Sequence, residues 1–471
     1  MTLVAILDVI VVVVLCASVV LRGFERTLPV AAFLLILFPD ASQLHLAGLF
    51  DLTTQRVLVS VLLVLYVFSG RKARKGSASG KLPLKYLVLA QVAWMIVSTA
   101  NSAVFTISFK AVLSQLFDYY LPFYIFAKSI SEVKTVRNIL LAFVAAMFVC
   151  SLFGAMEAYR GWSILSIFPA TTNHFSNLVN AVADRGTRVQ ATFGHPILFG
   201  GALAIAIPLA LYLVTTAKSW LGKTFLWSAV VLMFVDIYKT GSRGPWMALA
   251  FSLLALLVLG QGQLKKQVAV IGLLAVTVLV ARPGVWETIY NDYVATNSSG
   301  TAQGESYQWR YALYGIAFQH LNADPARALW GYGPESFFYL GWKGDFQGKI
   351  VPFESCDSSI VQLMVETGYI GLLLVMAIFL KSVIKTYQHF RRMPKPSNSL
   401  CLVLLINICA FLFLMTNVAI FGWGQQTYML WVIIALAMIY PGLVQTEQVV
   451  QEQATLAPAA FQHSFARSSR S

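Results

Sequence analysis

Apolar runs of roughly 18 or more residues recur along this chain between short polar connections, and about 20 residues of helix cross a bilayer. Ending each run where charge or turn residues interrupt it gives about thirteen candidate spans. They lie near 3–21, 28–48, 54–70, 83–101, 111–128, 138–157, 195–216, 223–240, 245–260, 267–282, 357–383, 398–420 and 425–442. Pro39-Asp40 interrupts the second, so that stretch is expected to bend or re-enter. From Ala281 to Gly371 the pattern gives way to a long water-exposed segment, rich in aromatics, that carries acids and arginines together. Loops longer than about 12–15 residues are usually functional or disordered, and this composition argues against disorder.

Bulk composition agrees with a membrane protein: the 471 residues are 58% hydrophobic and only 11% charged. The first run lacks a basic leader, and Arg22 and Arg26 follow it, so it is expected to be a retained helix rather than a cleaved signal. A net charge of +14 would suit nucleic acid, but most Lys and Arg residues sit in short loops on alternate sides, as a membrane topology requires. The basic stretch Arg71-Lys72-Ala73-Arg74-Lys75 to Lys81 marks the cytoplasmic face. The loops holding Lys134 and Arg137, Lys218 and Lys223, Lys265 and Lys266, and Arg391, Arg392 and Lys395 share it. The N-terminus is then outside and the C-terminal tail inside.

The expected fold is an all-α polytopic membrane protein of about 12–13 transmembrane helices with one large periplasmic loop. Residues 1–157 would form the N-terminal spans, 158–282 the central spans with an Arg-bearing outer loop, 283–356 the large loop, and 357–442 the last spans. Residues 443–471 are polar, poor in large aliphatics, and expected to be a disordered cytoplasmic tail. The five cysteines show neither CxxC nor His-paired spacing, so no metal or disulfide framework is expected. No internal repeat supports a transporter built from paired halves. Asp8, Asp118 and Asp236 are too few and scattered to line a flippase path.

On this topology the outer face collects Arg160, Arg185, Arg188, Arg243, Arg282, Arg310 and Arg327 against the rule that sorts the other cations. Residues that break a local rule are candidates for function. Arg188 opens RVQATFGHPILFGG, just before a helix whose first turn suits Pro196; His195 there reads as a cap. Arg243 lies in TGSRGP, a turn too tight to hold more than one long side chain, where glycines permit close backbone approach. Such guanidiniums can grip anionic oxygens, although a bland reading leaves them snorkelling to headgroups or facing water. In the large loop Trp309, Leu313, Ile316 and His320 recur at helical spacing with Arg310 beside them, which predicts an amphipathic helix over the bundle. WGYGP at 330–334 predicts a tight turn.

The final motif, CDSSIVQLMVETGYIG, puts Asp357 at the start of a span, as an N-cap, as a general base toward a sugar hydroxyl, or as both. Glu366 is nine residues on, roughly 13 Å along a helix and half a turn out of phase, so the two are not an acid/base pair. Bracing that helix, through Gly368, is the role expected of Glu366.

These motifs, in this order and with a large loop before the last, resemble the O-antigen ligase and polymerase superfamily across roughly residues 185–375. The resemblance implies a bacterial inner-membrane glycosyltransferase of the C type, without metal or cofactor, whose site faces the periplasm. Its donor and acceptor would be undecaprenyl-pyrophosphate-linked oligosaccharides, its surroundings membrane lipids, and a chain-length regulator a further partner. It also implies that arginines bind the donor pyrophosphate, here Arg188, Arg243 and Arg310. In the ligases the last motif typically opens with His-Asn; this chain has Asp357-Ser358, which is similar to exopolysaccharide polymerases of the superfamily. Polymerisation of lipid-linked repeat units is therefore the expected function. The rivals are a ligase acting on lipid A core or protein, and a polyprenyl-monophosphate enzyme with Asp40 or Asp51 as base.

Overall fold

Charge and turn residues do end the helices. The computed structural model describes residues 3–44, 51–69, 82–168, 188–298, 300–352 and 356–468. Helices α1 (Leu3–Arg22) and α2 (Phe24–Leu37) lead into a two-residue antiparallel pair, β1 (Gln43–Leu44) with β2 (Leu52–Thr53). The expected 28–48 span thus ends before Pro39-Asp40 and turns back. Then come α3 (Thr54–Phe68), α4 (Lys85–Ala100) and α5 (Phe105–Gln115), a π turn (Leu116–Tyr120), and α6 (Leu121–Ser129). Helices α7 (Val133–Arg160), α8 (Pro196–Thr216), α9 (Trp220–Lys239), α10 (Arg243–Leu259) and α11 (Gly262–Ala281) complete the central set. The large loop holds α12 (Pro283–Asn297), α13 (Ala302–Ala323), α14 (Pro325–Trp330) and a hairpin of β3 (Lys343–Phe346) and β4 (Lys349–Pro352). Last are α15 (Ser359–Arg392), α16 (Asn398–Met415) and α17 (Gly424–Ser468).

Among the described residues eight helices are long and apolar enough to cross a membrane, and α3, α4 and α10 are shorter apolar helices. The chain is an all-α polytopic membrane protein. Apolar on every face, α8 is 89% buried over its most hydrophobic window and forms the central post; α11, at 11%, stands at the edge. Contrary to the disorder expected of the tail, α17 continues past Gln445 to Ser468. The tail is rich in Gln, Glu and Ala, and extending a helix already nucleated in the bundle costs far less than starting one.

Hydrogen bonds between distant loops separate two ends of the bundle. At one end Glu25 accepts from Ser131 N–H at 2.9 Å, Arg137 Nη2 donates to the Thr216 carbonyl at 2.7 Å, and Tyr440 donates to the Ser397 carbonyl at 3.1 Å. Those loops are among the basic ones, or adjoin them. The basic stretch 71–75 with Lys81 lies outside the described residues. At the other end Gly424 N–H donates to Asp40 Oδ2 at 2.9 Å, and Gln425 Nε2 donates to the Ile36 carbonyl at 2.7 Å and to Thr192 Oγ1 at 3.0 Å. The large loop sits at this second end.

There α13 covers the start of α15 through a small core of its own. Leu313, Ile316, Ala317 and Leu321 pack with Phe337, Trp342, Val361, Met364 and Val365. The predicted amphipathic stripe is realised: Trp309 meets Phe346 edge-on at 5.2 Å, and His320 stacks on Trp342 at 4.4 Å.

Candidate functional site

The segment 188–196 is fixed from three sides. Glu157, near the end of α7, accepts the N–H groups of Gln190 and Ala191 on one oxygen at 3.0 and 2.8 Å. Ala191 there adopts φ +49°. Cys150 Sγ lies 3.3 Å from Thr192 Oγ1, which also accepts from Gln425 of α17. Arg188 itself reaches the TGSRG turn, donating through Nε to the Thr240 carbonyl at 2.8 Å and through Nη2 to Ser242 Oγ at 2.6 Å. Gly241, at φ +54°, has room for that guanidinium against its backbone. Arg243 opens α10 immediately after. Two arginines that the sequence places 55 residues apart thus stand on one turn. Arg185 lies outside the described residues.

His195 caps α8: its Nδ1 accepts from Ile197 N–H at 3.2 Å, which leaves the ring hydrogen on Nε2. Burial pushes its pKa down to about 4, and the nearby charges of Arg188 and Arg310 push the same way. The imidazole is therefore neutral at pH 7.

Arg310 arrives on α13 and faces Asp357, with Nη2 3.8 Å from Oδ2. Its Nε is buried without a hydrogen-bond partner, so the guanidinium keeps donor capacity in hand. Asp357 does not cap the span it precedes. The cap is Ser358, whose Oγ accepts from Ile360 N–H at 3.2 Å. Capping by Ser358 leaves the Asp357 carboxylate outside the helix, about a third exposed at 33% beside an arginine.

Gly368 is where α15 breaks. At φ +68°, ψ −176° it interrupts the helix and strips the preceding carbonyls of intrahelical partners. The WGYG turn and α4 replace them: Tyr332 and Gly333 N–H donate to the Val365 and Glu366 carbonyls at 2.9 Å each, Ser98 Oγ to Glu366 at 2.7 Å, and Trp94 Nε1 to Thr367 at 2.8 Å. Glu366 is buried, and its carboxylate accepts from Gln362 Nε2 at 3.3 Å and from the Glu335 backbone. Glu366 and Gly368 join the turn to the span rather than facing Asp357.

The partners of several site-end residues were not legible in the sequence. Asp118, scattered by position, pairs with Arg56 at 2.7 Å and accepts from Tyr428 at 2.6 Å. Asp118 sits on a π turn, a bulge found frequently at functional sites. Asp40, a rival base, is occupied by Gly424 N–H and Gln55; burial pushes its carboxyl up to about 6. Glu335 holds φ +54° in the WGYGPES turn, and burial raises its pKa against the favourable charge of Arg56. Arg327 is a strap: it donates to the Asn101 carbonyl and lies 5.0 Å over the Tyr332 ring.

Residues 228–376 match the family model described as O-antigen ligase. The matched stretch contains Arg243, Arg310, Asp357, Glu366 and Gly368, and Arg188 lies before it. It bears out the resemblance to the O-antigen ligase and polymerase superfamily, whose members are glycosyltransferase-like enzymes. Comparison with the curated proteins gave no match.

Proposed function

We propose, from the premise of an O-antigen-ligase-type segment in this membrane protein, that the chain polymerises undecaprenyl-pyrophosphate-linked repeat units at the periplasmic face of a bacterial inner membrane. One observation carries the reading: Asp357, released from capping by Ser358, stands beside Arg310 at the end of the bundle where Arg188 and Arg243 share a turn.

In this reaction a hydroxyl oxygen of the acceptor sugar attacks the anomeric carbon of the donor glycan. The bond from that carbon to the pyrophosphate oxygen breaks, and undecaprenyl pyrophosphate leaves with the electron pair. The hydroxyl proton passes to the Asp357 carboxylate. Arg188, Arg243 and Arg310 offset the negative charge that grows on the leaving group, and they stay protonated while doing so. The activated leaving group asks only for this and for an oriented acceptor.

Asp357-Ser358, where the ligases this chain resembles typically carry His-Asn, favours the polymerase over transfer to lipid A core or protein. The test is polymer formation from the host's own lipid-linked glycan by purified Asp357→Asn protein. Because Ser358 supplies the cap, the variant should unfold at the wild-type temperature while its rate falls by about 100- to 10,000-fold. A folded variant with wild-type rate removes the base. Product carried on lipid A core instead of a lengthening ladder would restore the ligase.

A further inference from the structure

Tyr314 follows Arg310 by one turn of α13, and its hydroxyl lies 2.8 Å from Ser358 Oγ, next in sequence to Asp357. Ser358 Oγ also accepts from Ile360 N–H at 3.2 Å and lies 3.1 Å from the Met415 carbonyl. A carbonyl only accepts, so the Ser358 proton goes to Met415, and the proton shared with Tyr314 must come from the phenol. Ser358 Oγ is then saturated, with one bond given and two accepted. This node joins α13, the start of α15 and the end of α16.

The neighbouring ion pair is too weak to set its own geometry. Arg310 and Asp357 are 3.8 Å apart, with side chains 21% and 33% exposed, and pairs of that kind contribute about 0–1 kcal/mol. Residues 310 and 314 share a face of α13, while 357 and 358 are consecutive. Fixing the second contact therefore fixes the first.

We infer that Tyr314 is a positioning residue: its hydroxyl, through Ser358, sets the separation between Arg310 and the Asp357 carboxylate. This rests on the role proposed for Asp357. Tyr369 supplies an internal comparison, since its hydroxyl donates to Asn322 Oδ1 at 3.1 Å and stitches the same two helices together away from Asp357.

The experiment uses full-length protein in vesicles, supplied with undecaprenyl-pyrophosphate-linked glycan extracted from the host. Tyr314→Phe keeps the ring and loses only the donor. Its kcat should fall about 10-fold or more with donor KM within about twofold, because small displacements of reacting groups are costly. Ser358→Ala, which removes the acceptor from the other side, should lower kcat likewise. Tyr369→Phe should keep kcat. In an Asp357→Asn background, Tyr314→Phe should subtract nothing further from the residual rate. Thermal unfolding of each variant separates loss of rate from loss of fold. Unchanged kcat in Tyr314→Phe beside an inactive Asp357→Asn overturns this inference alone. So does an equal loss with and without Asp357. Wild-type rate in Asp357→Asn overturns the proposed base and takes the inference with it.

Discussion

The backbone N–H of Gly333 donates to the carbonyl of Glu366 at 2.9 Å, so the turn after α14 fills the gap where α15 breaks at Gly368. A Cβ on Gly368 would collide with the Leu329 carbonyl, and φ +68° is itself unfavourable for any other residue. Gly368→Ala should destabilise by about 1–3 kcal/mol and lower polymer output at matched protein levels, although no charged group has changed. Thermal unfolding in detergent measures the first, and a gel of cell-surface glycan the second.

Arg188 donates through two different nitrogens to the turn that presents Arg243. Lysine offers a point charge without that fork. Arg188→Lys and Arg243→Lys should each lose about 2–4 kcal/mol of transition-state stabilisation, a fall in rate of roughly 30- to 1000-fold. Normal polymer from both variants at equal expression would falsify the donor-binding role.

His195 titrates near 4 in the fold against an ordinary 6.5, because burial and then the Arg188 and Arg310 charges oppose protonation. Between those values the unfolded chain binds the extra proton, so stability should fall as pH drops from 6.5 toward 4. The slope from this group is at most about 1.4 kcal/mol per pH unit. His195→Asn can still cap α8 but cannot titrate, so its unfolding temperature should depend less on pH across that window. Parallel pH curves for the two proteins would count against the assignment.

Arg56 and Asp118 are 16% and 10% exposed and bonded at 2.7 Å. Arg56→Ala would strand a buried carboxylate and should cost about 3–5 kcal/mol. Replacing both with apolar residues of similar size, as in Arg56→Met with Asp118→Leu, should recover much of that loss. A double variant as unstable as the sum of the single ones would argue against coupling through the pair.

The all-α, many-span character of the chain was legible in its sequence, and so was a helix along the stripe from Trp309 to His320. Each of these rests on local physics: hydrophobic periodicity, charge placement and capping act within a few residues. That Ser358 rather than Asp357 caps α15 depends on contacts from elsewhere in the chain. Two adjacent capping residues compete, and Ser358 wins by also reaching Tyr314 and Met415. The tertiary structure likewise paired Asp118 with Arg56 across 62 positions and brought Glu157 beneath the Arg188 segment. A polar group buried in a membrane protein must be satisfied, but the chain can supply its partner from any element that packs beside it. Periodicity carries no record of that choice; packing makes it.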